Sequence, residues 1–201
     1  MSPRPKSEEK KRKIIQAAIK NFSMKGLEKA TISSIAGEAG IGKGTVYQYF
    51  ASKEEIFSQI IYVFFEEMFA NWNQLIASNI SPHKKVAIML EQTIDISLEM
   101  INSDDTNYFQ LLMEIFIYSL RNKDKVKLDI VLADLYKIIE PVLEEGVQKG
   151  IFRRTDPKYT GFIIFSFLDG FALHLFFQHE NFDPVKLKTL LKEIVLKGIL
   201  K

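Results

Sequence analysis

Apolar residues recur three and four positions apart along nearly the whole chain, and no stretch keeps the two-residue alternation of a half-buried strand. Ten glycines and six prolines in 201 residues are few, and most of them fall where the periodic runs break. They read as helix stops and starts. The pattern predicts an all-α protein of about nine helices.

The individual signals are local. Ser7 can cap a first helix, with Glu8 and Glu9 in its first turn, an apolar face of Ile14, Ala17, Ala18 and Phe22, and Gly26 as its stop. Thr31 can cap a short second helix carrying Ile32, Ile35, Ala36 and Ala39, stopped by Gly40. A third runs from about Lys43 to Tyr49, and Ser52 with Glu55 has capping-box spacing for a long fourth. Ser81–Pro82, Asp156–Pro157 and Asp183–Pro184 each pair a cap with a proline suited to the first helical turn. Residues 102–106 and 121–125 read as breaks, Gly150 as a stop, and Pro141 as a kink or division inside a periodic segment.

The chain has no cysteine, which excludes disulfides, thiolate metal sites and thiol nucleophiles. Its first residues, MSPRPKSEEKKRK, are charged with no apolar run behind them, so no secretory leader is expected and the location is read as cytoplasmic. The overall charge of +2 is uneven. Residues 1–53 hold eleven basic side chains against four acidic ones, and the remainder is acidic by five. A basic first quarter suits contact with a polyanion or, more plainly, a solvated face. Arg4 and Lys6 on a Pro-containing lead could reach a nucleic-acid backbone or serve only as a solubilising tail.

Residues 37–43, GEAGIGK, match the opening of a phosphate-binding loop. Such a loop needs a strand before it and Ser or Thr after the lysine. Here the preceding segment has helical spacing and a helix cap, and Gly44 follows Lys43. Two short helices with a tight turn fit better: Gly40 for a left-handed turn residue, Ala36 for a close crossing, and Ile32, Ile35, Ala39, Ile41, Val46 and Phe50 facing inward. In that helix-turn-helix Lys43, Thr45, Gln48 and Tyr47 face outward, where base edges lie in a major groove. A helical hairpin that touches no DNA has the same bare pattern.

The run ATISSIAGEAGIGKGTVYQYFASKEEIF, with IIQAAIKNFSMKG before it, resembles the DNA-binding domain of TetR-family transcriptional repressors over about residues 13–57. KGIFRRTDP is similar, more weakly, to a connection between two later helices of that family. The resemblance implies a DNA-reading head at residues 1–53 and a helical ligand-binding and dimerising body at residues 54–201. It implies a homodimer formed through the last two helices, on a pseudo-palindromic operator, released when a small molecule binds the body. Lys43, Gly44 and Thr45 match the start of the recognition helix, Tyr47 and Tyr49 the aromatic positions that meet phosphate and sugar, and Lys53 a phosphate-clamping lysine. Gln48, Thr31 and Ser33 complete the expected DNA-facing set. The chain departs from the family at Gly42, where Ser is common, and at Ser34, where an acid is common.

Fourteen of sixteen phenylalanines lie from residue 57 onward. Phe64, Phe65, Met68, Trp72, Phe109, Phe116, Phe162, Phe165 and Asp169 are the candidate lining of a pocket, or plain core, and their composition suits an apolar or aromatic inducer. Residues 159–177, YTGFIIFSFLDGFALHLFF, are long enough to cross a membrane, but Asp169 in mid-run costs about 2.5–3.5 kcal/mol there on insertion scales. The run reads instead as an interface helix, with Gly161 and Gly170 allowing close approach. His83, His174 and His179 are scattered, and no catalytic motif, metal site or cofactor is expected. The rival to a regulator is a helical interaction or lipid-binding module without specific DNA binding.

Overall fold

The structure, a computed structural model, describes residues 6–102, 108–126 and 128–201. Arg4 and most of the expected break at 102–106 lie outside the described residues. The helices are α1 (Lys6–Lys25), α2 (Ile32–Ala39), α3 (Lys43–Tyr47), α4 (Lys53–Ala77), α5 (Pro82–Asn102), α6 (Tyr108–Arg121), α7 (Leu128–Lys137), α8 (Glu140–Gln148), α9 (Pro157–Gln178) and α10 (Pro184–Ile199), with a single 3-10 turn at His179–Asn181. No sheet is present among the described residues, only an isolated antiparallel bridge between Phe152 and Leu200.

Ten α-helices lie among the described residues, where about nine were expected. Pro141 divides rather than kinks its segment, standing in the first turn of α8. Asp156 accepts hydrogen bonds from the Lys158 and Tyr159 amides at 2.9 and 3.3 Å, and Asp183 from the Val185 amide at 2.9 Å, so both Asp-Pro pairs cap as expected. Ser7 does not cap α1, because the helix already includes Lys6. α3 ends at Tyr47, two residues early.

The chain forms two compact units. The first comprises Met1–Phe64 with Ser103–Val131, the second Phe65–Asn102 with Leu132–Lys201. Aromatic packing helps to build the first unit. Phe57 meets Phe22 of α1 edge-on at 5.0 Å and Tyr118 of α6 edge-on at 5.2 Å, which draws α6 into the first unit.

The second unit is built on Trp72, Met68, Val86, Met89, Leu90, Ile94, Leu143, Phe165 and Leu168. Lys85, almost fully buried, donates from Nζ to the Ile76 carbonyl at 2.9 Å and to Glu145 Oε2 at 3.1 Å, tying the end of α4 to α8. α5 and α10 are joined by the ion pairs Asp95–Lys188 and Glu91–Lys192. Two glycines permit close approach inside this unit. Gly161 packs against Ile139 and the Tyr136 carbonyl, so its small size serves a close approach of α9 within the chain. A methyl group on Gly146 would stand 2.0 Å from a Phe152 ring carbon.

Two glycine-to-alanine changes should therefore have opposite signs. Gly37, exposed within α2, has nothing near a built Cβ, and Gly37→Ala should stabilise by up to about 1 kcal/mol through helix propensity. At Gly146 the clash with a buried ring outweighs that gain, and Gly146→Ala should destabilise by about 1–3 kcal/mol. Urea unfolding of both variants checks the pair.

Candidate nucleic-acid interface

α2 is set by a reciprocal cap. The Ser34 amide donates to Thr31 Oγ1 at 3.1 Å, and the Thr31 amide donates to Ser34 Oγ at 3.0 Å. Ser34 stands where the resemblance leads one to expect an acid, and the cap is complete without it. The hydroxyl also does what a carboxylate cannot: it donates to Asn21 Oδ1 of α1 at 2.7 Å, while Asn21 Nδ2 donates to the Ser34 carbonyl at 3.3 Å. Asn21 is buried, and these bonds fix α2 against α1.

The turn to α3 is made by Gly40 at φ 65°, ψ 36°, a conformation that costs glycine little and other residues more. Gly42 precedes α3 without a side-chain cap. Inside, Ile32, Ile35, Ala36, Ala39, Val46 and Phe50 are buried as the pattern requires, and Ile41 is half-buried.

The outward side then follows. Lys43, Gly44, Tyr47 and Gln48 are exposed, Thr45 and Tyr49 half-buried, and Thr31 and Ser33 exposed at the start of α2. Tyr47 is 49% exposed, unusual for a tyrosine beside a packed core, and the Lys43 ammonium lies 5.8 Å from its ring centroid. The arrangement offers a cation, an amide and a phenol on one short helix. Those are groups that donate to phosphate and to base edges.

Lys53, half-buried at the start of α4, is held by backbone carbonyls. Its ammonium donates to the Leu27 carbonyl at 2.6 Å and the Ala30 carbonyl at 3.2 Å, 5.9 Å from the Phe57 ring centroid. The lysine expected to clamp phosphate holds the loop between α1 and α2 onto the start of α4. Beside it, Glu54 accepts from the Tyr118 hydroxyl at 2.8 Å. Burial and that bond push the Tyr118 pKa up to about 12. At Glu54, burial works upward, but the bond from Tyr118 helps leave its pKa below the usual value. Sequence reading missed both contacts, because nothing in the spacing of Lys53, Leu27 and Tyr118 announces them.

The candidate pocket residues are divided between the two units. Met68, Trp72 and Phe165 share the buried core of the second unit, with Phe65 packed against it and the Trp72 and Phe165 rings 5.8 Å apart. Phe162 is 51% exposed, its ring edge-on to Tyr136. Phe64, Phe109 and Phe116 belong to the first unit, Phe109 buried and the other two half-buried. Asp169 keeps exposed surface on α9, yet desolvation by the protein around it pushes its carboxyl up to about 6.

Removing the Lys53 tie should show in stability. Lys53→Ala leaves two carbonyls without their charged donor and should cost about 1–2 kcal/mol in urea unfolding.

Residues 14–60 match the family model for bacterial regulatory proteins of the tetR family. Over 194 residues the chain is 24% identical to the uncharacterized HTH-type transcriptional regulator YhgD of Bacillus subtilis, covering 95% of this chain and 97% of that protein. The transcriptional regulator FadR of Bacillus subtilis, solved in complex with stearoyl-CoA, superposes with a TM-score of 0.64 at 22% identity over 94% of this chain and 98% of that one. SmeT, the repressor of the Stenotrophomonas maltophilia multidrug efflux pump SmeDEF, does so at 0.70 and 18%, over 95% and 90%. At these identities the two structures speak to fold. Residues 14–60 thus carry a helix-turn-helix domain of the tetR family, matched strongly, and the body is similar to those of TetR-family transcriptional regulators only weakly.

Proposed function

We propose that this protein is a repressor that binds a pseudo-palindromic operator as a homodimer and leaves it when an apolar small molecule occupies the body. The observation that carries the DNA half is the exposed row Lys43, Tyr47 and Gln48 on a helix whose other side, Val46, is fully buried. Lys43, Thr45 and Gln48 read bases, while Tyr47 and Tyr49 position the head on phosphate and sugar. Gly44 lets the backbone come close, and Thr31 and Ser33 lie at the margin. Lys53 supports the head from behind.

The dimer half is supported by α9. Tyr159, Ile163, Phe167, Gly170, His174 and Phe177 are spaced as one helical stripe, and all are exposed. On α10 Val185, Leu190 and Ile194 are exposed as well. Apolar area of this extent on a folded chain marks a contact surface. A second copy presenting the same surface would cover it in two-fold fashion.

The ligand half draws on the apolar core of the second unit and on relatives. One curated relative is a fatty acid metabolism regulator, and the FadR structure holds stearoyl-CoA. An acyl or similarly lipophilic inducer fits that company. Such a ligand releases DNA only through unequal affinity for the free and bound conformations.

A second reading, a lipid- or membrane-associated module without specific DNA binding, takes its support from the same helix. Residues 157–181 contain an 18-residue window with a mean hydropathy of 1.7, 28% of it buried.

DNA selected from a random pool should yield an inverted repeat, and Gln48→Ala should relax preference at one position in each half by about 1–3 kcal/mol. Recovery of no enriched sequence favours the lipid reading. Lys43→Ala should flatten the slope of log affinity against log salt by about one, and Lys53→Ala should leave the slope unchanged. Ile163→Asp should convert the dimer to a monomer in sedimentation and abolish operator binding, with helicity intact by circular dichroism. An unchanged mass would remove α9 from the interface.

A further inference from the structure

The chain reverses between α9 and α10 through the 3-10 turn His179–Asn181, and a crevice of about 350 Å³ opens beside the reversal. Phe171, His174, Leu175 and Gln178 of α9 line one side of it. Phe182, just past the turn, and Leu187 of α10 line the other. The four α9 residues recur three and four positions apart, so they share one helix face. Leu175 is buried, Phe171 and Leu187 are half-buried, and Phe182 keeps 52% of its surface exposed. The volume lies at the small end of the range for ligand pockets.

The second wall is held by backbone bonds. The Phe182 amide donates to the His179 carbonyl at 3.3 Å, and the Leu187 amide to the Asp183 carbonyl at 3.0 Å. Two polar side chains stand in the apolar lining. Gln178 Oε1 accepts from Asn181 Nδ2 at 2.8 Å, which leaves the Gln178 N–H groups to donate elsewhere. His174, one helical turn earlier and exposed, makes no hydrogen bond or ion pair among the described residues. In its neutral form an imidazole has one nitrogen that accepts. Among the described residues no lysine, arginine, aspartate or glutamate lines the crevice. An ion entering it would lose water and meet no counter-charge, which disfavours charged ligands.

We propose that this crevice is a binding site for a small, uncharged aromatic alcohol of the phenol type. The ring lies among Phe171, Phe182, Leu175 and Leu187. The hydroxyl oxygen accepts from Gln178 Nε2–H, and the hydroxyl proton is donated to His174. The apolar lining supplies most of the affinity, and the polar pair selects a hydroxyl over an ether or a bare ring. The site is additional to that of the acyl-type inducer, and its test needs neither DNA nor that inducer. His174 also belongs to the exposed stripe of α9 that a second copy would cover, so the rival occupant is a side chain of that copy.

Three probes of one shape separate the terms: 2-naphthol (donor and acceptor), 2-methoxynaphthalene (acceptor only) and naphthalene (neither). In equilibrium dialysis against the full chain, naphthol should bind most tightly, with each lost hydrogen bond costing about threefold to tenfold in affinity. His174→Phe should erase the gap between naphthol and the ether. Gln178→Leu should weaken naphthol and the ether and leave naphthalene unchanged. Leu187→Trp fills the crevice and should abolish binding of all three, with helicity checked by circular dichroism. Gln178→Leu alters an exposed side chain and keeps the test intact should the tryptophan variant fail to fold.

Equal affinities for the three probes overturn the proposal, as do a naphthol–ether gap that persists in His174→Phe and naphthol binding that survives in a folded Leu187→Trp. Binding by the Ile163→Asp variant but not by the unaltered protein also overturns it, and assigns the crevice to the second copy.

Discussion

A helix of five residues has no stability of its own, because nucleation costs more than so short a ladder returns. α3 exists only because Val46 and Phe50 are driven into a core already formed by α1 and α2. That burial also decides which way the helix faces. With Val46 inward, Lys43, Tyr47 and Gln48 have nowhere to go but out. The outward polar face is thus the by-product of two apolar side chains, and the polar groups on it are free to vary without cost to the fold.

Polar contacts then fix what the apolar ones leave loose. Asn21 and Ser34 set the register of α2 on α1, and Lys53 sets the loop between them on α4. The Phe22–Phe57–Tyr118 ladder brings α6 to the same place. The placing of α2 within the first unit therefore depends on residues outside its exposed side. Substitutions there can alter DNA binding while touching no DNA.

Much of this was legible in the sequence, and the reasons are local. Thr31, Gly40, Asp156, Asp183 and the prolines after them act within one or two turns of themselves, so their spacing carries their meaning. The inward and outward sides of α2 and α3 follow from period alone. Long-range pairings are not written in spacing. Nothing near Lys53 names Leu27, and nothing near Tyr118 names Glu54. Gly161 was legible as a close-approach residue but not for its partner, which is Ile139 of the same chain. Aromatic pairings are likewise not written in spacing: aromatic content says how much can be buried, not which rings meet.

The clamp at Lys85 has a consequence for acid tolerance. Glu145 serves two lysines at once, and the hydrogen bonds from Lys149 and Lys85 hold its carboxyl below the usual range. A carboxyl held low stabilises the fold above its ordinary titration range, and that contribution disappears as pH falls through the lowered value. Protonation would strip the counter-charge from an ammonium that is almost wholly enclosed, leaving it with the Ile76 carbonyl. One surface glutamate thereby governs whether a cation in the interior is tolerable, and the body should loosen in acid where α4 ends against α8.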